Sequence, residues 1–184
     1  MEESAASREQ VVESAKRAER RPRDMVISLL VLLVPILLAL FVYNVVFEGD
    51  EPVKVDPAAA IADARHANAF PVMVPTGLPD GWTTVSARFQ NTETDKTLRI
   101  GFVSPEGDGA QVVQTNRPAE AVLPAELTDA ARPQGPAEVN GAAWQSYSTR
   151  PGERALVLLQ PSHTVIVVGK TSQSELYELA GSLR

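Results

Sequence analysis

The chain has 184 residues and a formal net charge of −6, and it contains no cysteine. This length allows one modest domain with accessory segments. The lack of cysteine excludes disulfides, thiolate metal sites, cysteine nucleophiles and a lipidated cysteine. The acidic excess lies after residue 47, where seventeen acidic residues outnumber eleven basic ones. We therefore expect no nucleic-acid partner, because binding a polyanion depends on clustered lysine and arginine.

Residues 1–24 form a polar tail with six acidic and six basic side chains. Their apolar content is too low for a core, so we expect a solvated helix or a disordered segment. The basic residues gather at its end, as Lys16, Arg17, Arg20, Arg21 and Arg23. This cluster sets membrane topology by the positive-inside rule. It could also attract anionic lipid headgroups, at about 1 kcal/mol per charge.

Residues 25–47 read MVISLLVLLVPILLALFVYNVVF and contain no Asp, Glu, Lys, Arg or His. A helix of this length spans about 34 Å, slightly more than the roughly 30 Å of a bilayer's hydrocarbon core. Acidic residues follow it, so the N-terminus is expected in the cytoplasm and the C-terminal domain outside. We therefore predict one transmembrane helix, kinked at Pro35, that anchors the chain in the lipid bilayer of the cell membrane.

Two other interpretations of this apolar stretch compete with an anchor. A cleaved signal peptide has an apolar region of about 7–15 residues and a small-residue cleavage site. The stretch exceeds that length, and its exit, Val45-Val46-Phe47-Glu48, lacks such a site. A buried soluble helix would need a core on every side, for which the chain is too short. The uncleaved anchor is favoured.

Residues 48–69 are predicted to form a juxtamembrane linker and helix. An acidic linker precedes Asp56 and Pro57, a pair typical of the N-cap and first position of a helix. The helix is expected from about residue 57 to 68. Its apolar residues are mostly alanine, which indicates weak packing and a stalk-like role.

Residues 70–184 are predicted to form the extracytoplasmic domain. Alternation and turn residues predict three strands and a helix, then three more strands and a final helix. Residues 133–136 contain two prolines and are expected to interrupt the regular secondary structure. The last two strands are almost wholly apolar, as in the middle of a sheet covered on both faces. In the final helix, Ser172 and Glu175 form a predicted capping box.

The predicted fold class is α+β, one antiparallel sheet with packed helices. The two halves begin alike, with Gly81-Trp82 and with Gly141 three residues before Trp144. This likeness suggests an internal duplication of the form βββα-βββα. The order of elements is similar to that of Mog1/PsbP-like proteins, an analogy of element order only.

No motif for catalysis, a metal or a cofactor is present. The histidines, His66 and His163, lie in separate segments, and no G-x-S-x-G elbow occurs. Zinc needs more ligands than these two provide. Glu106 and Asp108 share a turn that lacks the further oxygen ligands calcium needs. We expect no catalytic, metal or cofactor-binding residue, and a domain that is not an enzyme.

Trp82, Trp144 and Tyr147 are the most informative side chains of the outer domain. In one interpretation they line a cleft for an apolar or glycan ligand. In the other, which we favour, they are core residues, because large aromatics in small domains mainly fill the core.

Several segments together resemble an actinobacterial family, domain of unknown function 4245. They are the basic N-terminus, the apolar helix, and the motifs PTGLPDGW at residues 75–82, GAAW at residues 141–144 and TSQSELYELAGSL at residues 171–183. The resemblance implies a cell-membrane location and no established activity. Our leading hypothesis is a non-enzymatic envelope protein whose outer domain binds a membrane-protein complex or a cell-wall component. The alternatives are a lipid or glycan carrier and, with less support, a hydrolase that uses His163.

Overall fold

The computed structural model describes residues 22–47 and 52–184. The predicted polar tail therefore lies almost wholly outside the described residues, as do residues 48–51 of the predicted linker. The chain divides into two compact units after Glu51.

The first unit contains one described helix, α1 (Pro22–Phe47), which continues through Pro35. Its segment Met25–Tyr43 has a mean hydropathy of 3.1, and none of it is buried against other parts of the protein. Within residues 22–47 and 52–184, no other helix is both long and apolar enough to cross a membrane. Length and composition thus agree with the predicted apolar helix.

The second unit, residues 52–184, consists of seven strands and three helices. In chain order they are α2 (Ala58–Ala67), β1 (Thr83–Asn91), β2 (Lys96–Val103), β3 (Gly109–Thr115), α3 (Ala119–Leu127), β4 (Arg132–Val139), β5 (Ala142–Ser148), β6 (Arg154–Leu159), β7 (Thr164–Gly169) and α4 (Gln173–Ser182).

All seven strands form one antiparallel sheet in the order β1-β2-β3-β7-β6-β5-β4. Two meanders, β1–β3 and β4–β7, meet where β3 pairs with β7. The predicted α+β class is therefore confirmed. Every residue of β7 is buried, which agrees with the apolar pattern that placed this strand in the middle of the sheet.

The second half differs from the predicted repeat by one strand, because β4 occupies the region where an interruption of regular secondary structure was expected. Strand β4 lies at the edge of the sheet, where proline is tolerated since the missing N–H is not needed for a second partner. The pairing of β4 with β5 shifts between Pro133 and Gly135, and Gly135 has a φ of 137°. The observed order is βββα-ββββα.

Helices cover both faces of the sheet. Helices α2 and α4 pack on one face, here called the α4 face, over a core that includes Leu98, Ile100, Val112, Leu156, Val167 and Leu179. Helix α3 covers the other, the α3 face, with Val122 and Leu127 buried against Val113, Val157 and Ile166. The two helices that follow β3 and β7 thus lie on opposite sides.

Helix α2 packs more closely than its alanine-rich sequence indicates. Ala64 is only 2% exposed and belongs to the core of the α4 face, and α2 contacts β1 and β2. The N-cap is Pro57, one residue later than predicted, and its side chain makes no capping hydrogen bond. Asp56 Oδ1 nevertheless accepts a hydrogen bond from the N–H of Ala58 at 2.9 Å. The compact unit begins at Pro52, upstream of the predicted start at residue 70.

Residues 72–76 form a strap that joins the sheet to the C-terminus. The N–H of Val74 donates to the carbonyl of Arg184 at 2.9 Å, and the N–H of Thr76 donates to the carbonyl of Ser182 at 2.9 Å. From the sheet, the Gln114 amide binds both backbone groups of Met73, at 2.8 and 2.6 Å. This strap follows α2 directly and secures it to the sheet.

The capping box of α4 is confirmed. Ser172 Oγ accepts from the N–H of Glu175, and the Glu175 carboxylate accepts from the N–H of Ser172 at 3.2 Å. The predicted apolar side of this helix is buried, with Leu176 and Leu179 at 2% exposure or less.

Candidate functional site

Trp82 lies at the entrance to β1 and is half-buried on the α4 face. Its indole Nε1 donates to Glu178 Oε2 of α4 at 3.0 Å. Its ring meets Phe102 edge to face, with centroids 6.4 Å apart and an interplanar angle of 81°. Trp82 therefore joins α4 to the β1 side of the sheet, as a packing residue with a satisfied polar tip.

Trp144 and Tyr147 lie on the same strand but in different cores. Trp144 is 4% exposed and packs within the core of the α4 face, opposite Ala137 of the edge strand. Tyr147 is opposite Ala155 and packs against the core of the α3 face. The structure therefore does not bring Trp82, Trp144 and Tyr147 together around one cleft.

A cavity of about 250 Å³ opens between α4 and strands β4–β6, here called the α4 cavity. Leu156 and Leu176 supply its apolar lining, and Tyr147 borders it. Its polar lining residues come from four separate segments of the chain: Gln134, Ser146, Ser148, Arg154, Gln173 and Tyr177. It is the kind of concave site, part apolar and part polar, in which small ligands bind.

The α4 cavity carries one charged side chain. Arg154 is exposed, and within residues 22–47 and 52–184 its side chain forms no hydrogen bond or ion pair. Ser148 Oγ accepts from Gln134 Nε2 at 2.9 Å, while the hydroxyls of Ser146 and Tyr177 have no partner in the same described part. The cavity therefore offers one free cation and several free hydrogen-bonding groups.

A second and more open groove, of about 470 Å³, lies on the α3 face. Its two carboxylates are already paired. Glu126 binds Arg99 at 2.5 Å, and Glu153 binds Arg150 at 3.2 Å. The first ion pair joins β2 to α3 and the second lies within the β5–β6 turn, so neither carboxylate is free. Gln111 and Lys170 also line this groove, and their side chains have no hydrogen bond or ion pair within the described residues.

His163, the residue named for a hydrolase, is buried at the turn between β6 and β7. Its ring stacks on Phe70, with centroids 5.5 Å apart, and only the Ser162 hydroxyl is near Nδ1, at 3.3 Å. Nε2 is buried and has no partner among the described residues. Burial lowers the pKa of this imidazole from its ordinary value. Among the described residues, no carboxylate bonds to the ring, as a triad would require. His66 is exposed on α2.

In the structure, the carboxylate of Glu175 lies beside the loop that contains Glu106 and Asp108. One carboxylate oxygen from each lies within 4.8 Å of the others. Burial by itself raises the pKa of Glu175, but hydrogen bonds from Ser104, Ser172 and two backbone N–H groups outweigh it and hold that pKa below its usual value. The Glu175 oxygens are thus engaged in capping α4 and in holding this loop.

Sequence reasoning identified Tyr147 but missed the other residues of the α4 cavity. One signal was present: Ser146 and Ser148 alternate on β5 at positions that face the sheet's apolar α4 side. Two polar residues at successive inward positions of a strand are unusual enough to indicate a site. Gln134 could not be placed, because its strand was not predicted.

Of the comparisons with known proteins, the match to a family model identifies the family. The model of the family described as "Protein of unknown function (DUF4245)" matches residues 17–183. Among curated proteins, none matches. Solved structures with some similarity include MucB in complex with MucA(peri), at 14% identity, covering 62% of this chain and 36% of that one with a TM-score of 0.34.

The complex of Pseudomonas aeruginosa MucA/MucB is similar at 15% identity, over 61% of this chain and 34% of that one, with a TM-score of 0.33. The chain spans about a third of the length of each of these solved chains.

Proposed function

The chain belongs to the DUF4245 family, and we propose that it is a single-pass membrane protein whose outer domain is a non-enzymatic binding module of the cell envelope. One observation supports the anchor most directly. The 19 residues Met25–Tyr43 form a helix with a mean hydropathy of 3.1, and none of it is buried in the protein. A water-exposed helix of this kind would be strongly unfavourable, whereas a bilayer accommodates it.

The orientation follows from the charges that flank α1. Five basic residues lie within residues 16–23, and three acidic residues lie within residues 48–51. The positive-inside rule then retains the N-terminus in the cytoplasm. The stretch is also too long for a signal peptide's apolar region. The domain of residues 52–184 accordingly functions outside the cytoplasm.

The α4 cavity supports a binding role for this domain. It is concave, it has unused polar groups within the described residues, and neither Trp82 nor Trp144 lines it. The buried histidine lacks a carboxylate partner in the described part of the chain, which favours binding over hydrolysis. Partners of this site are a cell-wall component or an exposed portion of an envelope protein.

A carrier of small glycans is the second candidate, and the lining of the cavity favours it over a lipid carrier. Only Leu156 and Leu176 are aliphatic, whereas six lining residues are polar. An acyl chain needs a long apolar channel, because burying it against polar groups that lack partners is costly. The cavity accommodates a compact polar group better than a lipid tail.

Single-cysteine labelling tests the anchor and its orientation. The chain has no cysteine, so one introduced thiol reports one position. We expect a membrane-impermeant maleimide to label Thr94→Cys in intact cells, because Thr94 is exposed in the β1–β2 loop. Ser7→Cys, in the N-terminal tail, should be labelled only after the membrane is made permeable.

Labelling of Ser7→Cys in intact cells, with Thr94→Cys protected, would show that the orientation is the reverse of the one proposed. Recovery of a shortened chain in the medium would instead identify α1 as a cleaved signal. The full-length mass of the labelled membrane-bound chain serves as the control for both outcomes.

Site-specific photocrosslinking tests the binding role. A benzophenone amino acid at Gln173, at the mouth of the α4 cavity, should give a discrete adduct in living cells. The same amino acid at Thr94, away from the cavity, is the matched control. Equal adducts at both positions, or none at Gln173, would contradict a binding site at this cavity.

A further inference from the structure

We infer that the α4 cavity binds a single acidic sugar unit, with its carboxylate or phosphate on Arg154 and its hydroxyls on the neighbouring polar side chains. This inference rests on the proposed function and names the ligand class for its site. It follows from the charge, the hydrogen-bonding groups and the size of the cavity.

The lining of the α4 cavity is basic although the domain as a whole is acidic. Residues 52–184 contain fourteen acidic and eleven basic residues, yet none of the nine lining residues is acidic and one is basic. Of the eight arginines in residues 52–184, Arg99, Arg117 and Arg150 have carboxylate partners. Arg154 has none within the described chain. An unpaired guanidinium in a concave site favours an anionic group, which it binds in a bidentate manner.

Helix α4 begins at the cavity that Arg154 lines. Gln173 is the first residue of α4, so the cavity lies at the positive end of this helix. The one acidic residue of the first turn, Glu175, accepts hydrogen bonds from Ser172 and from the N–H of Glu106. Because that carboxylate is already bonded and does not line the cavity, it leaves Arg154 available to an external anion.

The remaining lining residues provide both hydrogen-bonding groups and apolar surface. Ser146, Ser148, Gln173 and Tyr177 present hydroxyl and amide groups, which both donate and accept hydrogen bonds, as sugar hydroxyls do. Leu156 and Leu176 provide apolar surface for the carbon face of a sugar ring. A group with many hydroxyls, one anion and one apolar face matches this combination better than an inorganic ion or a hydrocarbon.

The size of the cavity sets the extent of the ligand. Its volume of about 250 Å³ lies below the roughly 300–1,000 Å³ typical of sites for drug-sized molecules. One sugar unit is therefore the portion enclosed, and the rest of a longer glycan would extend into solvent. Carboxylate and phosphate sugars share the chemistry that Arg154 recognises, so the test includes both.

Isothermal titration and ligand-observed NMR on the full chain in nanodiscs test this inference. The probes are glucuronic acid, glucose 6-phosphate, neutral glucose and inorganic phosphate. We expect at least one of the two acidic sugars to bind with a dissociation constant on the order of 1 mM, as single small ligands do. Glucose and inorganic phosphate should each bind at least about tenfold more weakly, since each lacks one half of the recognised chemistry.

Two variants and one control identify the site. Arg154→Gln should weaken binding of the acidic sugar about tenfold or more, and Arg154→Lys less, because lysine keeps the charge without the bidentate geometry. Ser146→Leu should also reduce binding by filling the cavity. Arg88→Gln removes an exposed arginine of β1 that does not line the cavity, and it should leave binding unchanged. Tryptophan fluorescence checks that each variant is folded.

Three results would overturn the inference: no binding of either acidic sugar at about 10 mM, glucose or inorganic phosphate binding equally well, or an unchanged affinity in Arg154→Gln. These results are distinguishable from failure of the proposed function. A crosslink at Gln173 and the expected labelling of Thr94→Cys would still support an anchored binding module, whose ligand would then be of another class.

Discussion

Gln114 is expected to stabilise the domain through its hydrogen bonds to the strap, and Gln114→Met tests this. The residue is fully buried on β3. Its Oε1 accepts from the N–H of Met73 at 2.8 Å, and its Nε2 donates to the carbonyl of Met73 at 2.6 Å. Methionine has a similar length and shape but forms neither bond, so the substitution removes both contacts and leaves little cavity.

The expected loss of stability follows from the two backbone groups of Met73 that lose their hydrogen-bond partner. Each hydrogen bond contributes about 0.5–1.5 kcal/mol, and a buried group that loses its partner costs about 1–3 kcal/mol. Met73 is half-buried, so water reaches its backbone in part and the lower end of that range applies. The two freed groups of Met73 together lower the free energy of unfolding by about 2–3 kcal/mol. The apolar gain from methionine reduces this figure only modestly.

Urea unfolding of the full chain in mild detergent measures this cost, with fluorescence of the two tryptophans as the signal. The matched control is Gln111→Met on the same strand. Gln111 is half-buried on the α3 face, and its side chain has no hydrogen bond within the described residues. It should change stability by no more than about 0.5 kcal/mol. Equal effects of the two substitutions, or a cost below about 1 kcal/mol for Gln114→Met, would refute the role of the strap contact.

Three further outcomes are expected. Because burial lowers the pKa of His163 in the folded state, the unfolded chain takes up the proton first. The contribution of neutral His163 to the free energy of unfolding is therefore fully present above the ordinary pKa of about 6.5 and declines as the pH falls below it. The urea midpoint of His163→Phe should not show this dependence on pH. The midpoint of the control His66→Gln, which changes an exposed residue, should still show it. Glu175 is an acid whose pKa is lowered in the folded state. Its ionised carboxylate therefore stabilises the fold at pH values above its ordinary pKa, and this contribution is lost as the pH falls through the pKa of the folded state. Glu175→Gln should therefore cost about 1 kcal/mol at pH 7 and match the parent chain in strong acid, a convergence that unfolding curves at both pH values will show or exclude. In α1, Leu33→Arg with Leu37→Arg places two charges near the middle of the helix, at about 2.5–3.5 kcal/mol each. Alkaline extraction should release this variant from membranes and retain the corresponding double valine variant; retention of both would contradict a membrane-spanning α1.

The elements with strong periodic signals were predictable from the sequence. The apolar run became α1, the continuous apolar strand became the fully buried β7, and the capping box marked the start of α4. Each of these depends on residues that are close together in the chain. Gln114 was not predictable in the same way, because its partner Met73 lies 41 residues away and hydrophobic periodicity carries no information on such a contact.

The missed strand β4 and the missed cavity have one physical origin. Pro133 and Pro136 indicate a chain break when each residue is assumed to need partners on both sides, but an edge strand needs them on one side only. The same prolines leave β4 with fewer N–H donors for edge-to-edge association, which protects the sheet. Gln134, between them, reaches Ser148 of β5 at 2.9 Å and forms part of the wall of the α4 cavity. Without β4, Ser146 and Ser148 would lie on an exposed edge, where polar residues need no explanation. With β4 beside them they are inward-facing residues of an interior strand, and their polarity becomes evidence for a binding site.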